Sequence, residues 1–440
     1  MNLDKIIEEK FKQNRIFGVN KPSILKEMLN IPEYVDIKKL DSFIDSYYET
    51  FYIQKKWATS KPTKEERYEK FLCIEKEKQT RLKEIPEGED RTHYRKIVSI
   101  NSIWLKKTQK RINRLLMDTV LTNKERGKKR ESIIPYLHSS VKQRSYNTNA
   151  KVHVGNKYVL ALDLKDFYPS VTKMKLYKFF KNKYNLSSDT AMIYAILSTT
   201  KADDGSYRLG QGLAQSATLA FLSNYQLFNY LYEYGMNMGI EMSIYVDDIV
   251  FSSNKQISQE FIDKMFGIIK SNGMEIKREK IHNYKKESVK KITGVYINGH
   301  KTRVSNQKHE EIEIQYQKLK NDIMKISTIE DYFKVYNLYL KFYGNYQHIN
   351  MVENKVNGRY TSLIDDYDDF FPKGINKKQK SINYRKGNIR NITDSEKINK
   401  YFQQLKNKLF TYKSKNGWCF NNLKWIKIRE KTLIFCFFLK

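Results

Sequence analysis

Cysteine is nearly absent. The 440-residue chain has three, Cys73, Cys419 and Cys436, too few and too scattered for a disulfide framework or a zinc site. That scarcity fits a reduced, cytoplasmic compartment. Long apolar runs are missing too. The longest near the end is LIFCFFL at 433–439, far short of the roughly 20 residues that span a bilayer. It reads as a buried strand or short core segment, and no membrane partner is expected. The opening stretch MNLDKIIEEKFK has no apolar segment of signal-peptide length. The third shortage is acid: Lys and Arg number 81, Asp and Glu only 49, for a net charge of +32. A coding bias could enrich lysine but does not explain why the acids lag. Such an excess repels itself in a compact fold and attracts polyanions, nucleic acid before an anionic membrane surface. Aromatics are plentiful, with 32 Tyr and 23 Phe, which excludes a wholly disordered chain. The length allows two or three domains.

No internal repeat stands out. Residues 1–90 read as a helical N-terminal extension of alternating charge, closed by a turn around Pro86 and Gly88. A strand follows at 94–100. Next comes a helix with Leu105, Gln109, Ile112, Leu116 and Val120 on one face, capped by Asn101 or Ser102. From 158 on, short strands alternate with helices. The pattern predicts a strand at 158–164, helices near 173–184 and 213–235, and a strand–turn–strand at 242–253. A helix at 256–271 and strands near 274–276 and 292–298 complete an α+β domain on an antiparallel sheet. Two further helices are predicted. Residues 306–326 carry Ile312, Tyr316, Leu319, Ile323 and Ile326 on one face, and 328–348 carry Phe333, Tyr336, Leu340 and Tyr343.

The sharpest local signal is Tyr245-Val246-Asp247-Asp248. Two adjacent aspartates between apolar strands are costly unless a cation sits with them. A solvated hairpin turn is the plainer reading. A second carboxylate, Asp163, ends the apolar strand Tyr158 to Leu162. It could cap a helix, or stand beside the hairpin tip and complete a site for two Mg²⁺ ions, whose preference is for hard oxygen ligands. The later cluster Asp365-Asp366-Tyr367-Asp368-Asp369 lacks flanking strands and reads as a loop or cap. The tail, 373–440, holds 18 basic residues against 3 acidic ones. It interleaves Arg385 with Tyr401, Tyr412, Trp418 and Trp425, which suits phosphate neutralisation and base stacking. A small folded cap with core aromatics is an equal reading.

Together these residues resemble a known family. DLKDFYPS at 163–170 looks like motif A of reverse transcriptases, YVDD at 245–248 like motif C, and Gln211-Gly212 like motif B. Arg95-Lys-Ile97 with LKKTQKRINRLL (105–116) is similar to the first fingers elements of retron and group II intron enzymes. Arg144-Ser145, the Asn149-Ala-Lys-Val-His153 element and Ile292-Thr293-Gly294 match further retron-type features. The resemblance covers about 95–350. It implies a right-hand polymerase fold: helical extension 1–90, fingers and palm 91–305, helical thumb 306–372 and basic extension 373–440.

The resemblance also implies roles. Asp163, Asp247 and Asp248 would be catalytic and would hold two Mg²⁺ ions with the Leu164 carbonyl. Arg95 and Arg144 would grip the dNTP triphosphate. Tyr168 would bar a ribose 2′-OH, Gln211 would line the nucleotide site, and Lys280 would approach the leaving pyrophosphate. Two departures stand out. Both motif B prolines common in relatives are missing from Gly210-Gln-Gly-Leu-Ala-Gln-Ser-Ala217, and Lys277 stands where Asn is frequent. The implied activity is synthesis of cDNA from a structured non-coding RNA in anti-phage defence, with a homo-oligomer or effector protein as further partners. Rival readings are a template-independent or protein-primed polymerase and a non-catalytic RNA-binding scaffold.

Overall fold

In the computed structural model of the chain, the described residues are 2–55, 69, 71–72, 81–123, 129–323, 325, 329–355, 357–367, 423–428 and 432–437. The chain forms two compact units, one of residues 1–60 and 78–303, the other of 61–77 and 304–440.

The first unit is built on an antiparallel sheet of β3 (Tyr158–Lys165), β6 (Glu241–Tyr245), β7 (Asp248–Ser253), β8 (Glu275–Ile276) and β9 (His282–Tyr284), in the order β6-β7-β3-β8, with β9 also pairing β3. Val159, Leu160, Leu162 and Leu164 of β3 are all buried. Burial on both faces explains why its apolar residues run on rather than alternate. Around the sheet lie α1 (Leu3–Gln13), α2 (Pro22–Leu29), α3 (Ile103–Val120), α4 (Tyr146–Lys151), α5 (Lys173–Lys183), α6 (Ser188–Ser198), α7 (Ser216–Leu222), α8 (Tyr225–Asn237) and α9 (Gln259–Ser271). Small antiparallel ladders join β1 (Tyr48–Gln54) to β2 (Tyr94–Ile100), β4 (Thr199–Lys201) to β5 (Tyr207–Leu209), and β10 (Lys290–Ile292) through β11 (Val295–Asn298) to β12 (Lys301–Arg303).

The Ser102 hydroxyl caps α3, accepting from the Leu105 N–H at 3.4 Å, and all five residues of the predicted face are buried. Three expectations need correcting. The single helix at 213–235 is two, α7 and α8. The chain breaks at Ser223–Asn224, where the Asn224 amide turns back to donate to the Ala220 carbonyl at 2.8 Å. The strand at 292–298 is a hairpin that folds at Thr293 and Gly294, both at positive φ. Residues 1–90 are not a purely helical extension. Tyr48-Glu-Thr-Phe-Tyr-Ile-Gln54 forms β1, as its aromatic and β-branched residues favour, and pairs along all of β2. Phe11 of α1 packs edge-on against Phe179 and Tyr184 and tilts onto Tyr225.

The second unit contains α10 (Asn306–Ile323), α11 (Ile329–Glu353) and α12 (Gly358–Tyr367). Ile312, Leu319 and Ile323 are buried as expected. On α11 the buried face is Val335, Leu338, Tyr339, Phe342, Ile349 and Val352, one position round from the predicted Tyr336, Leu340 and Tyr343. With aromatics on several sides of this helix, periodicity alone did not fix its face. Asp365 and Asp366 lie in the last turn of α12; Asp368 and Asp369 lie outside the described residues. The apolar run of 433–439 falls on β14 (Thr432–Phe437), paired with β13 (Leu423–Ile428). Among the described residues, no helix is long and apolar enough to cross a membrane.

Candidate active site

The three aspartates come together where β3 meets the β6–β7 hairpin. The ladder pairs Asp163 with Asp248 directly. Tyr245 pairs with Asp248, so the turn has only Val246 and Asp247 at its tip. Val246 has a φ of +61°. A β-branched residue in that region is strained, and the strain is held by neighbours. The Asp247 carbonyl accepts from the Leu164 N–H at 2.9 Å, tying the turn to β3. Leu164 is buried in the core, so only its main chain is available to a ligand.

Behind this hairpin stands His153, fully buried. Its two ring nitrogens bond to the hydroxyls of Ser243 on β6 and Ser252 on β7, each at 2.6 Å. Burial, with the neighbouring His138, pushes its pKa down to about 3. The neutral ring donates to one serine and accepts from the other, pinning both strands of the hairpin. This gives the Asn-Ala-x-x-His element a physical role that its sequence alone did not reveal.

Cations answer the carboxylates from the turn that follows β8. Lys277 donates to Asp163 Oδ1, and its Nζ lies 3.9 Å from Asp247 Oδ2. Lys280 Nζ donates to Asp163 Oδ2 at 2.6 Å. Burial opposes charge on Lys280, but the bond to Asp163 and the charges of all three aspartates hold its pKa above the usual lysine value. Asp248 is pushed up to about 7 by burial, then by Asp247 and Asp163, and Asp247 is raised for the same kinds of reason. Burial and the crowding of three carboxylates thus outweigh the two lysines at Asp247 and Asp248.

Those facts bear on a metal. Three carboxylates are the donor chemistry a hard divalent cation takes, and an ammonium already stands between two of them. The side chains fit such an ion. Among the described residues, however, no three Asp, Glu, His or Cys side chains form a ready cage. Lys277 and Lys280 both engage Asp163.

Next to the carboxylates opens a cleft of about 270 Å³ lined by Lys55, Arg95, Lys96, Tyr168, Gln211, Asp247 and Lys277 among others. Tyr168 is half-buried, beside Phe167, and its phenol is pushed up to about 12 by burial and then by Asp247. It stays neutral. Gln211 reaches the cleft because its loop lies against β2, where its carbonyl accepts from the Val98 N–H at 2.9 Å. Gly212, at φ +110°, makes that approach possible, since a Cβ there would sit 2.4 Å from the Val98 carbonyl oxygen.

Two of the expected nucleotide-binding residues stand outside the cleft lining. Arg144 does not line the cleft. Its Nη1 donates to the carbonyls of Ile134, Pro135 and Leu137 at 2.6–3.0 Å, bracing the chain before α4. Lys280 is absent from the cleft lining, where Lys277 stands. Lys277 and Lys55 were not singled out as site residues. The departure at Lys277 was the available signal for the first. Lys55 lies in the segment read as a helical extension, and only the β1–β2 pairing brings it to the site. Arg385, Tyr401, Tyr412 and Trp418 lie outside the described residues. Trp425 falls on β13, its side chain outside the description.

The sequence profile described as reverse transcriptase (RNA-dependent DNA polymerase) matches residues 75–308. The retron Se72 reverse transcriptase of Salmonella heidelberg is 31% identical over 173 residues, 37% of this chain and 43% of its own. The retron Ec86 reverse transcriptase of Escherichia coli is 31% identical over 181 residues, 40% of this chain and 54% of its own. The match thus spans about half the length of these curated relatives. Among solved structures, Candida albicans telomerase with a fragment of telomeric RNA aligns with a TM-score of 0.30 at 10% identity, over 51% of this chain and 45% of that one.

Proposed function

The chain belongs to the reverse transcriptase (RNA-dependent DNA polymerase) family, with its right-hand polymerase fold, and from that premise we propose that it is an RNA-directed DNA polymerase copying a dedicated structured RNA into cDNA. The observation that carries this is the meeting of Asp163, Asp247 and Asp248 beside a cleft lined by Arg95, Tyr168 and Gln211. In the reaction, a primer 3′-oxygen bonds to the α-phosphorus of a dNTP, the α–β bridging bond breaks, and pyrophosphate and the hydroxyl proton leave. Divalent ions, which enzymes of this family use, would lower the cost of the hydroxyl's ionisation and neutralise developing phosphate charge, Mg²⁺ being the ion that suits these oxygens. Asp163, Asp247, Asp248 and the Leu164 carbonyl would hold them. Lys55 and Arg95 present cations to the triphosphate, while the Lys96 ammonium is paired with Asp203 at 2.7 Å. The neutral ring of Tyr168 walls the sugar position and leaves no space for a 2′-hydroxyl.

Similarity to retron enzymes supports a dedicated non-coding RNA as template, and the motif resemblance supports a role in anti-phage defence. The aspartates speak against a silent scaffold. The test is to purify the protein with its native nucleic acid, sequence that material, and follow dNTP incorporation. Asp247→Ala/Asp248→Ala should abolish extension, and extension by the double variant at the wild-type rate would sink the assignment. Destroying the bound RNA should stop templated synthesis; continued product would favour the untemplated rival. Tyr168→Ala should raise rNTP use at least about tenfold. Phage plating on cells with and without the active protein tests the defence role.

A further inference from the structure

Helix α3 buries its apolar face in the core and turns a row of cations outward. Lys106, Lys107, Lys110 and Arg114 are exposed, and the helix holds no acid before Asp118. Positions 106, 110 and 114 are one turn apart, so three cations stand in line over about 12 Å, with Lys107 beside them. Among the described residues none of the four has an ion pair or side-chain hydrogen bond. The contrast with α5 is direct. There Lys173 pairs with Asp41, Lys175 donates to Asn224, Lys181 to Ser188, and Lys183 pairs with Glu8. Like charges one turn apart weaken a helix. An unpaired row of them is a standing cost that a polyanion would remove.

We propose that this face of α3 is a second nucleic-acid contact, separate from the nucleotide cleft, which docks a duplex stem of structured RNA through its phosphates. None of the four cations lines the cleft. The outward face offers no aromatic ring for stacking, since Trp104 is buried. Single strands are held by such rings, so this surface fits a duplex backbone and no particular sequence. A membrane is a poorer fit. Surface helices insert an apolar face, whereas Leu105, Ile112 and Leu116 are fully buried here and only Ile103 is exposed. Guanidinium and ammonium groups are suited to phosphate oxygens. RNA as the natural duplex rests on the proposed function, but the surface shares no residue with the aspartate site, so the two can fail separately.

The experiment compares the full chain with Lys106→Glu/Lys107→Glu/Lys110→Glu/Arg114→Glu, and with the same four positions changed to Gln should the first variant fold poorly. Anisotropy with a labelled RNA hairpin across a salt series gives affinity and its salt slope. Extension of a short primer–template and thermal melting serve as controls. The expected result is RNA binding weakened at least about tenfold, with a log–log salt slope shallower by about 3. Extension should stay within about twofold and melting should be unchanged. Asp247→Ala/Asp248→Ala should keep RNA affinity while losing extension. Wild-type affinity and slope in the α3 variants would overturn the proposal. So would an equal loss of short-template extension in a folded variant, because the row would then belong to the cleft. A DNA duplex held as tightly through these residues would overturn the RNA assignment, and loss of anionic-vesicle binding with RNA binding intact would assign the face to a membrane.

Discussion

At the scale of single residues, the site is decided by where charge is compensated. Lys277 reaches Asp163 and approaches Asp247, so any cation entering between those carboxylates must first displace an ammonium. Lys277→Gln should therefore bind Mg²⁺ more readily. Followed by melting temperature, its half-saturating Mg²⁺ concentration should fall at least about threefold below wild type; an unchanged midpoint would show that Lys277 does not compete. His153 makes a different prediction. Its folded pKa is lowered from 6.5 to about 3, so between those values the unfolded chain binds more protons than the folded one. Stability from this group is full above 6.5 and is lost as pH falls toward 3. His153→Asn removes that contribution, and its melting temperature should fall less than the wild type's from about pH 7 to about pH 5. Equal slopes would mean that the ring titrates freely. The aspartates were legible because buried adjacent carboxylates are rare and costly. The role of His153 was not, because nothing in its neighbours along the chain predicts two serines on distant strands.

At the scale of elements, the turn and the glycine loop do the positioning. The two-residue turn between β6 and β7 sets Asp247 at the tip and Asp248 on the ladder opposite Asp163. A one-residue slip would carry every side chain of the hairpin to the other face. The Gly210–Gly212 loop sets the floor of the cleft against β2. Gly212→Ala meets two penalties at once: a φ of +110° and a Cβ 2.4 Å from a backbone oxygen that cannot move without disturbing β2. A loss of about 3 kcal/mol or more is expected, a drop of roughly 6–12 °C in melting temperature, together with loss of extension. Gly239→Ala is the control, since it has positive φ with nothing within 4 Å of the added carbon, and should cost only about 1 kcal/mol. Equal effects would show that close approach to Val98 is not the constraint. Short apolar runs bounded by polar residues made β2, β3 and the hairpin readable. The break at Asn224 and the fold at Thr293–Gly294 escaped because side-chain bonds and positive φ, not hydropathy, end those elements.

At the scale of the whole molecule, the division of the chain is where sequence reasoning and structure part most. The first 90 residues look separable, highly charged and closed by a turn. Instead, Phe11 is completely buried among Phe179, Tyr184 and Tyr225, Lys183 pairs with Glu8 at 2.6 Å, and β1 covers β2 along its whole length. A chain begun at residue 91 would expose that aromatic cluster and leave β2, with Arg95, as an unpaired edge. It should fail to give a cooperative melt or any extension. Phe11→Ala in the full chain tests the same packing without truncation. Loss of a buried phenylalanine costs about 3–5 kcal/mol, and Phe11 does not line the cleft, so the melting temperature should fall while KM for dNTP in the folded fraction stays within about twofold. If instead the 91–440 chain melts cooperatively and extends a primer, the N-terminal helices are an ornament on the polymerase. The burial of Phe11 makes them part of its core.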